Sequence, residues 1–177
     1  MFGRMKQPKR VFVLVDWENI LVNMNLPPAE RFSLASGFDR ILKKIAEEVG
    51  EIVNVFVFVP SHLALTWGEE FHRLGLFVVL CPKVRDKKTG EEQDTVDQTL
   101  IDFGRKAIAQ TRELTHLCLF SGDKDFGPFL REAIQKRLKI IIASGNLTSL
   151  SGELIGLADR KPSGGKMVYL FSPTGEE

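Results

Sequence analysis

Short apolar runs that alternate with helix-like patterns constrain this chain more than any other feature. Each run is rich in β-branched or aromatic residues, as in a strand buried on both faces. The runs are Val11–Val15, 52–59, 76–80, 115–120, 138–143 and 167–171. Apolar residues at helical spacing lie between them, at 30–49, 94–109 and 127–137, with shorter stretches at 65–74 and 150–157. This alternation predicts βαβ units and a mainly parallel sheet.

The order of these elements predicts an α/β fold, because right-handed crossovers produce an open, doubly wound sheet. We expect five or six strands with helices on both faces. The 177 residues suit a single domain, 1–177, with a core at about 10–171. Residues 83–93 lack apolar periodicity and contain Gly90, so we expect a loop there.

Composition argues against several classes of protein. The net charge of +1 disfavours a strongly cationic nucleic-acid binder, although a local basic groove can lie beside an acidic centre. Cys81 and Cys118 lie far apart in apolar runs, which predicts neither a zinc site nor a disulfide. No apolar run reaches the roughly 20 residues that cross a bilayer. We expect a cytoplasmic protein that does not bind membranes.

Aspartates follow two of the predicted strands. Asp16 comes directly after the first strand, and Asp123 and Asp125 come just after the fourth. Sites in doubly wound sheets form outside the carboxyl ends of strands where the strand order reverses. Because the first and fourth strands are commonly neighbours there, we expect Asp16 and Asp123 to face one crevice.

The start of the helix after the third strand adds two more aspartates. Asp94 and Asp97 lie near one face of that helix, and helix capping explains Asp94 equally well. Several carboxylates in one cleft repel each other unless a cation joins them. Oxygen ligands without a Cys or His cluster favour Mg²⁺ or Mn²⁺ over zinc. We therefore predict a metal site at Asp16, Asp97, Asp123 and Asp94.

Polar neighbours complete the predicted catalytic set. Asn19, in the sequence DWEN, is expected to orient a carboxylate, water or phosphate, with a turn or helix cap as the alternative. Ser121 lies in the turn SGDKDF and is expected to donate to a ligand or carboxylate. For Asp125, capping of the following helix is slightly favoured, together with a supporting role in the site.

Basic residues near the cleft are candidates for substrate binding. They are Lys83, Arg85, Lys87, Lys88 and Lys124. Four of them crowd the predicted loop, whose length suits a mobile flap, and they would contact phosphates. Acidic residues in the same loop make an ordinary solvated loop the stronger interpretation.

Three segments resemble the motifs of the NYN domain, also called LabA-like, a branch of the PIN-like nucleases. They are DWEN at 16–19, VDQTLID at 96–102 and LFSGDKDFGPFLREA at 119–133. The resemblance implies a Rossmann-like, PIN-like parallel sheet, a Mg²⁺ or Mn²⁺ site and ribonuclease activity. It matches Asp16, Asp97 and Asp123 to the metal-binding aspartates of the family, Asp125 to an accompanying acidic position, and Asn19 to an amide. The second motif departs from the family pattern, since Asp94-Thr95 replaces Lys-Gly and Asp102 falls off the Asp97 face.

These observations lead to the hypothesis of an endoribonuclease that hydrolyses single-stranded or structured RNA by metal-activated water. A non-catalytic RNA-binding module that retains the fold is one alternative. A small-molecule phosphatase is another, although the DxD pair of one such class is absent from Asp16-Trp17-Glu18. A homodimer is left open.

Overall fold

Six parallel strands form the central sheet of the computed structural model, which describes residues 8–22, 30–145 and 147–170. The strands are β1 (Arg10–Asp16), β2 (Glu51–Pro60), β3 (Phe77–Cys81), β6 (His116–Phe120), β7 (Lys139–Ser144) and β8 (Val168–Leu170). Their spatial order is β3-β2-β1-β6-β7-β8. The predicted open parallel sheet is confirmed, with six strands in this part of the chain.

Helices cover both faces of the sheet, as predicted. They are α1 (Trp17–Val22), α2 (Arg31–Glu48), α3 (Ser61–Arg73), α4 (Val96–Gln110), α5 (Gly127–Gln135) and α6 (Gly152–Leu157). The first three pack against one apolar cluster and the last three against another. Alternate residues of β1 enter the two clusters, so Val13 lies on one face and Leu14 on the other. This two-sided burial is why residues 11–15 of β1 are all apolar.

The centre of the sheet is the point at which the strand order reverses. β1 pairs in parallel with β2 on one side and with β6 on the other. The expected proximity of the first and fourth predicted strands is therefore confirmed. Asp16 ends β1, and the turn after Phe120 begins beside it. The described residues contain no helix that is both long and apolar enough to cross a bilayer.

Residues 83–93 are not a simple loop, so that expectation is wrong. β4 (Val84–Arg85) and β5 (Glu92–Gln93) form a small antiparallel hairpin. Asp86 closes its turn, since Oδ1 accepts hydrogen bonds from the backbone N–H groups of Lys88 and Thr89. Two-residue strands with mostly polar side chains produce no alternation of apolar residues, which is why pattern alone did not reveal them.

Several other boundaries differ from expectation, and two of them are described here. α3 begins at Ser61, directly after Pro60, and not at Leu65, because its apolar face already starts with Leu63 and Ala64. The last strand ends at Leu170 in the described residues, and residue 171 of the predicted strand lies outside them. Both changes extend or shorten an element without altering the order of the sheet.

Candidate functional site

Asp16 is the most buried carboxylate at the centre of the sheet. It lies at the carboxyl end of β1 and is only 5% exposed. Its Oδ1 accepts a hydrogen bond from the backbone N–H of Asn19 at 3.1 Å, and its Oδ2 accepts one from the Ser121 hydroxyl at 3.3 Å. The two contacts hold the carboxylate between the start of α1 and the end of β6.

Asn19 and Ser121 join the two chain segments that meet at this point. The Asn19 Oδ1 accepts a hydrogen bond from the backbone N–H of Gly122 at 2.9 Å. The Ser121 Oγ also accepts one from the backbone N–H of Asp123 at 3.2 Å. Asn19 is therefore neither an isolated turn residue nor a helix cap, because its side chain bridges β1 to the turn that carries Asp123.

This turn requires glycine at position 122. A Cβ built on Gly122 would lie 2.1 Å from the carbonyl oxygen of Ser149 and 3.2 Å from the Ser144 hydroxyl. The Gly122 carbonyl in turn accepts a hydrogen bond from the backbone N–H of Ser151. Glycine at position 122 thus allows the loop after β7 to pack directly against the turn and to form a hydrogen bond with it.

Asp123, and not Asp125, caps the helical segment that follows. Asp123 precedes a short 3-10 turn (Lys124–Phe126), and its Oδ1 accepts a hydrogen bond from the Asp125 backbone N–H at 2.9 Å. α5 begins after Phe126 without a side-chain cap. The predicted capping role of Asp125 is wrong, because the 3-10 turn inserts before α5 and makes Asp123 the first residue outside it. Asp125 and Lys124 are exposed at this turn.

The third group of carboxylates lies at the start of α4. Asp94 accepts a hydrogen bond from the backbone N–H of Val96 at 2.9 Å, so the expected capping contact is present. Asp97 lies in the first turn of α4 and is exposed. Asp102 forms an ion pair with Arg105, at 3.6 Å, and is separated from the cluster as anticipated.

Charge repulsion shows which of these carboxylates lie close together. The pKa of Asp16 is raised to about 7, chiefly by burial and also by the negative charge of Asp97, while the Asn19 and Ser121 hydrogen bonds oppose the rise. Neighbouring protein atoms partly desolvate the Asp97 carboxyl, although the residue as a whole is exposed, and this raises its pKa, as do the charges of Asp123, Asp94 and Asp125. Asp97 is therefore the residue through which the β1, β6 and α4 carboxylates interact.

Glu18 joins this cluster, although the sequence reasoning did not select it. It is half-buried in the first turn of α1. Burial raises its pKa, as does the charge of Asp94, and nearby His62 and Lys83 lower it. The position of Glu18, two residues after Asp16, was the available signal. The first turn of a helix that begins directly after a strand lies at the same edge of the sheet as the last residue of that strand.

The predicted basic residues are distributed unevenly around the cluster. Lys83 lies close enough to Glu18 to lower its pKa. Arg85 lies on β4, and Lys87 and Lys88 lie in the turn of the hairpin, all exposed to solvent. The hairpin leads directly into Asp94 and α4, so these four basic residues belong to the segment that connects β3 to the carboxylates of α4.

The donor set fits a hard divalent cation. Its groups are carboxylate oxygens, and the Cys81 thiol beside them has a pKa raised by burial, which keeps it protonated and a poor metal ligand. Within residues 8–22, 30–145 and 147–170, no three acidic, His or Cys side chains are already arranged as a complete set of ligands. Asp16, Asp97 and Asp123 would therefore have to move closer together to share one ion.

The comparisons with known proteins agree with this fold. No curated protein matches the chain. A crystal structure of a Vibrio parahaemolyticus protein of unknown function is similar, with a TM-score of 0.64 and 17% identity over 96% of each chain. At that identity the similarity supports the architecture alone.

A family comparison covers the sheet from β1 to the residues after α6, including every carboxylate of the cluster. The model of the NYN domain matches residues 10–161. These residues contain the three segments that carry Asp16, Asp97 and Asp123. With this match over most of its length, the chain belongs to the NYN domain family.

Proposed function

We propose that the chain is a metal-dependent endoribonuclease whose reaction centre is the carboxylate cluster around Asp16. The observation that carries the proposal is the position of Asp16 at the carboxyl end of β1, where it is 5% exposed and where burial and the charges of Asp97 and Glu18 raise its pKa. A protein rarely retains such repulsion for stability, and perturbed carboxyls in a cleft are typical of functional sites. Membership of the NYN family, a branch of the PIN-like nucleases, supports the same class of chemistry.

Asp16, Asp97 and Asp123 would hold Mg²⁺ or Mn²⁺, with Asp94 assisting from the start of α4. When bound, such a cation would neutralise charge on a phosphodiester and activate the attacking water. Asn19 and Ser121 would fix the orientation of Asp16 through the hydrogen bonds described above. Asp125 would add negative charge at the rim and attract the cation.

The basic side chains would bind the RNA backbone. Lys83, Arg85, Lys87 and Lys88 lie on the segment that leads into α4, and Lys124 lies between Asp123 and Asp125. Contacts with phosphate position a nucleic acid without reading its sequence. We therefore expect binding that weakens with salt and tolerates many RNA sequences.

The proposal is tested by cleavage of a single-stranded RNA with Mn²⁺, comparing the unmodified chain with Asp16→Asn. We expect Asp16→Asn to lower the rate at least about 100-fold, because several kcal/mol of charge stabilisation depend on the ion. Asp102→Asn is the matched control, since it removes an exposed carboxylate paired with Arg105 and should leave the rate unchanged. Chelation by EDTA should abolish cleavage in both active proteins.

The outcomes also separate the alternatives. Equal cleavage by Asp16→Asn and the unmodified chain would refute the proposal and indicate a contaminating nuclease. RNA binding without cleavage at any Mn²⁺ or Mg²⁺ concentration would favour a binding module. Hydrolysis of p-nitrophenyl phosphate without RNA cleavage would favour the phosphatase.

A further inference from the structure

The two edges of the sheet are protected to different degrees. β8 has three residues, Tyr169 at its centre is buried, and Lys166 precedes it. β3 has five residues, Phe77–Cys81, without a charge, a proline or a shift in its register with β2. Proteins usually protect an edge strand with charge, proline, a bulge or a short length. In the described part of the chain, β3 shows none of the four.

Apolar side chains of β3 are exposed on both faces of the sheet. Phe77 and Leu80 are each 57% exposed, and Val78 is also exposed. The register with β2 places Phe77 on the α4 face and Val78 with Leu80 on the α3 face. A helix packed on one face would cover only half of this surface. A further strand, whose side chains alternate between faces, would cover both halves.

We propose that β3 pairs antiparallel with β3 of a second copy, so that two sheets join into one across a twofold axis at Val79. In this register Phe77 lies opposite the partner's Cys81, and Val78 lies opposite the partner's Leu80. Each exposed side chain then meets an apolar one, and no like charges face each other across the strands. Lys83 lies beyond the paired segment, opposite the partner's Gly75.

The area available sets the expected strength. The exposed parts of Phe77, Val78, Leu80 and the adjoining Val84 amount to roughly 300 Å² per copy, at about 100–200 Å² per complete side chain. Two copies would bury roughly 600 Å² of side-chain surface, to which the paired backbones add, so the interface is smaller than the roughly 1,000 Å² at which stable specific interfaces begin. The dimer is therefore weak, with a dissociation constant of about 1–100 µM.

Light scattering and sedimentation of the unmodified chain over about 5–500 µM test the proposal. We expect the mass to rise with concentration from 19.9 kDa toward twice that value. Hydrogen exchange should slow at the amides of residues 77–81 as concentration rises, while residues 168–170 stay unchanged. A constant monomer mass or concentration-independent exchange at β3 would overturn the proposal.

Two variants test the register. Val78→Lys and Leu80→Glu should each raise the dissociation constant at least about tenfold, since the twofold axis counts each change twice. Their mixture should associate more tightly than either alone, because position 78 faces position 80 of the partner. Leu147→Lys is the matched control at a side chain 61% exposed on the loop after β7, and it should leave the dimer intact.

The folded state of each variant is checked by its thermal midpoint before the mixing experiment. A folded Leu80→Glu that dimerises like the unmodified chain would overturn the proposal. So would equal dissociation by Leu147→Lys, or a mixture no tighter than the separate variants.

Discussion

The two halves of the candidate site are held in place by different forces. The half between β1 and β6 is a hydrogen-bonded unit, in which Asp16, Asn19, Ser121 and the Gly122–Asp123 turn contact one another directly. The half at the start of α4 acts on Asp16 through charge, by way of Asp97. Hydrogen bonds fix the first half, whereas the second is linked to it through electrostatic repulsion.

Asp97 connects the two halves electrostatically, so its substitution should have the largest effect. Asp97→Asn should lower RNA cleavage by about 1,000-fold, because it removes a charged ligand from the α4 side. The side chain is exposed, so the thermal midpoint should change little. Steady-state cleavage and thermal unfolding measure the two effects. Activity within tenfold of the unmodified chain would show that the α4 half is not part of the site.

The hydrogen-bonded half between β1 and β6 should be most sensitive to a substitution at Gly122. Gly122→Ala places a Cβ against the Ser149 backbone, which cannot move as a side chain would, and we expect a loss of about 3 kcal/mol of unfolding free energy. Gly152→Ala is the control, since a Cβ there meets nothing within 4 Å. Urea unfolding of both variants measures the difference. Equal stability would mean that the turn can shift away from the Ser149 loop.

Asp16 should reveal the cost of the buried charge as a function of pH. Its folded pKa of about 7 exceeds the ordinary aspartate pKa of 3.8, so the folded state holds the proton more tightly and loses stability as pH rises between these values. Metal-free Asp16→Asn should therefore match the unmodified chain near pH 4 and exceed its stability by roughly 4 kcal/mol above pH 7. Denaturant unfolding in EDTA across this range measures the divergence. A difference that does not change with pH would contradict the burial argument.

The hairpin should have the smallest effect. Replacing Lys83, Arg85, Lys87 and Lys88 together by Gln should raise KM for RNA about tenfold, leave kcat nearly unchanged and flatten the salt dependence. Replacing Lys136, Arg137 and Lys139 by Gln is the control. These residues lie at or just before the amino end of β7, whereas the candidate site lies at the carboxyl ends of the strands. A lower kcat at unchanged KM would instead assign the hairpin to the chemistry.

The parts of the fold that depend on apolar burial could be predicted from sequence. The β1 run predicts a central strand, and the alternation of elements predicts its position beside β6. Trp17 is fully buried in the core on one face of this sheet, in edge contact with Phe38 and Trp67. These features follow from periodicity because apolar area dominates their energy.

The parts that depend on single hydrogen bonds could not be predicted. The sequence DKD offers two aspartates as caps, and only the inserted 3-10 turn decides for Asp123. The side chain of Asn19 reaches Gly122, 103 residues away, which no local pattern contains. That Asp16, Asp97 and Asp123 bind one ion together remains a prediction. Their charges affect one another, but their carboxylate oxygens do not form a complete set of metal ligands.

The hydrogen bond between Asn19 and Gly122 also has a consequence for the order of events in folding. Its partners lie 103 residues apart in the sequence, so it can form only after β6 has docked beside β1. A collapsed chain with native helices but an open sheet centre would lack this bond and the fixed Asp16. Recovery of the proposed nuclease activity during refolding would then report the pairing of β1 with β6, later than compaction or helix content.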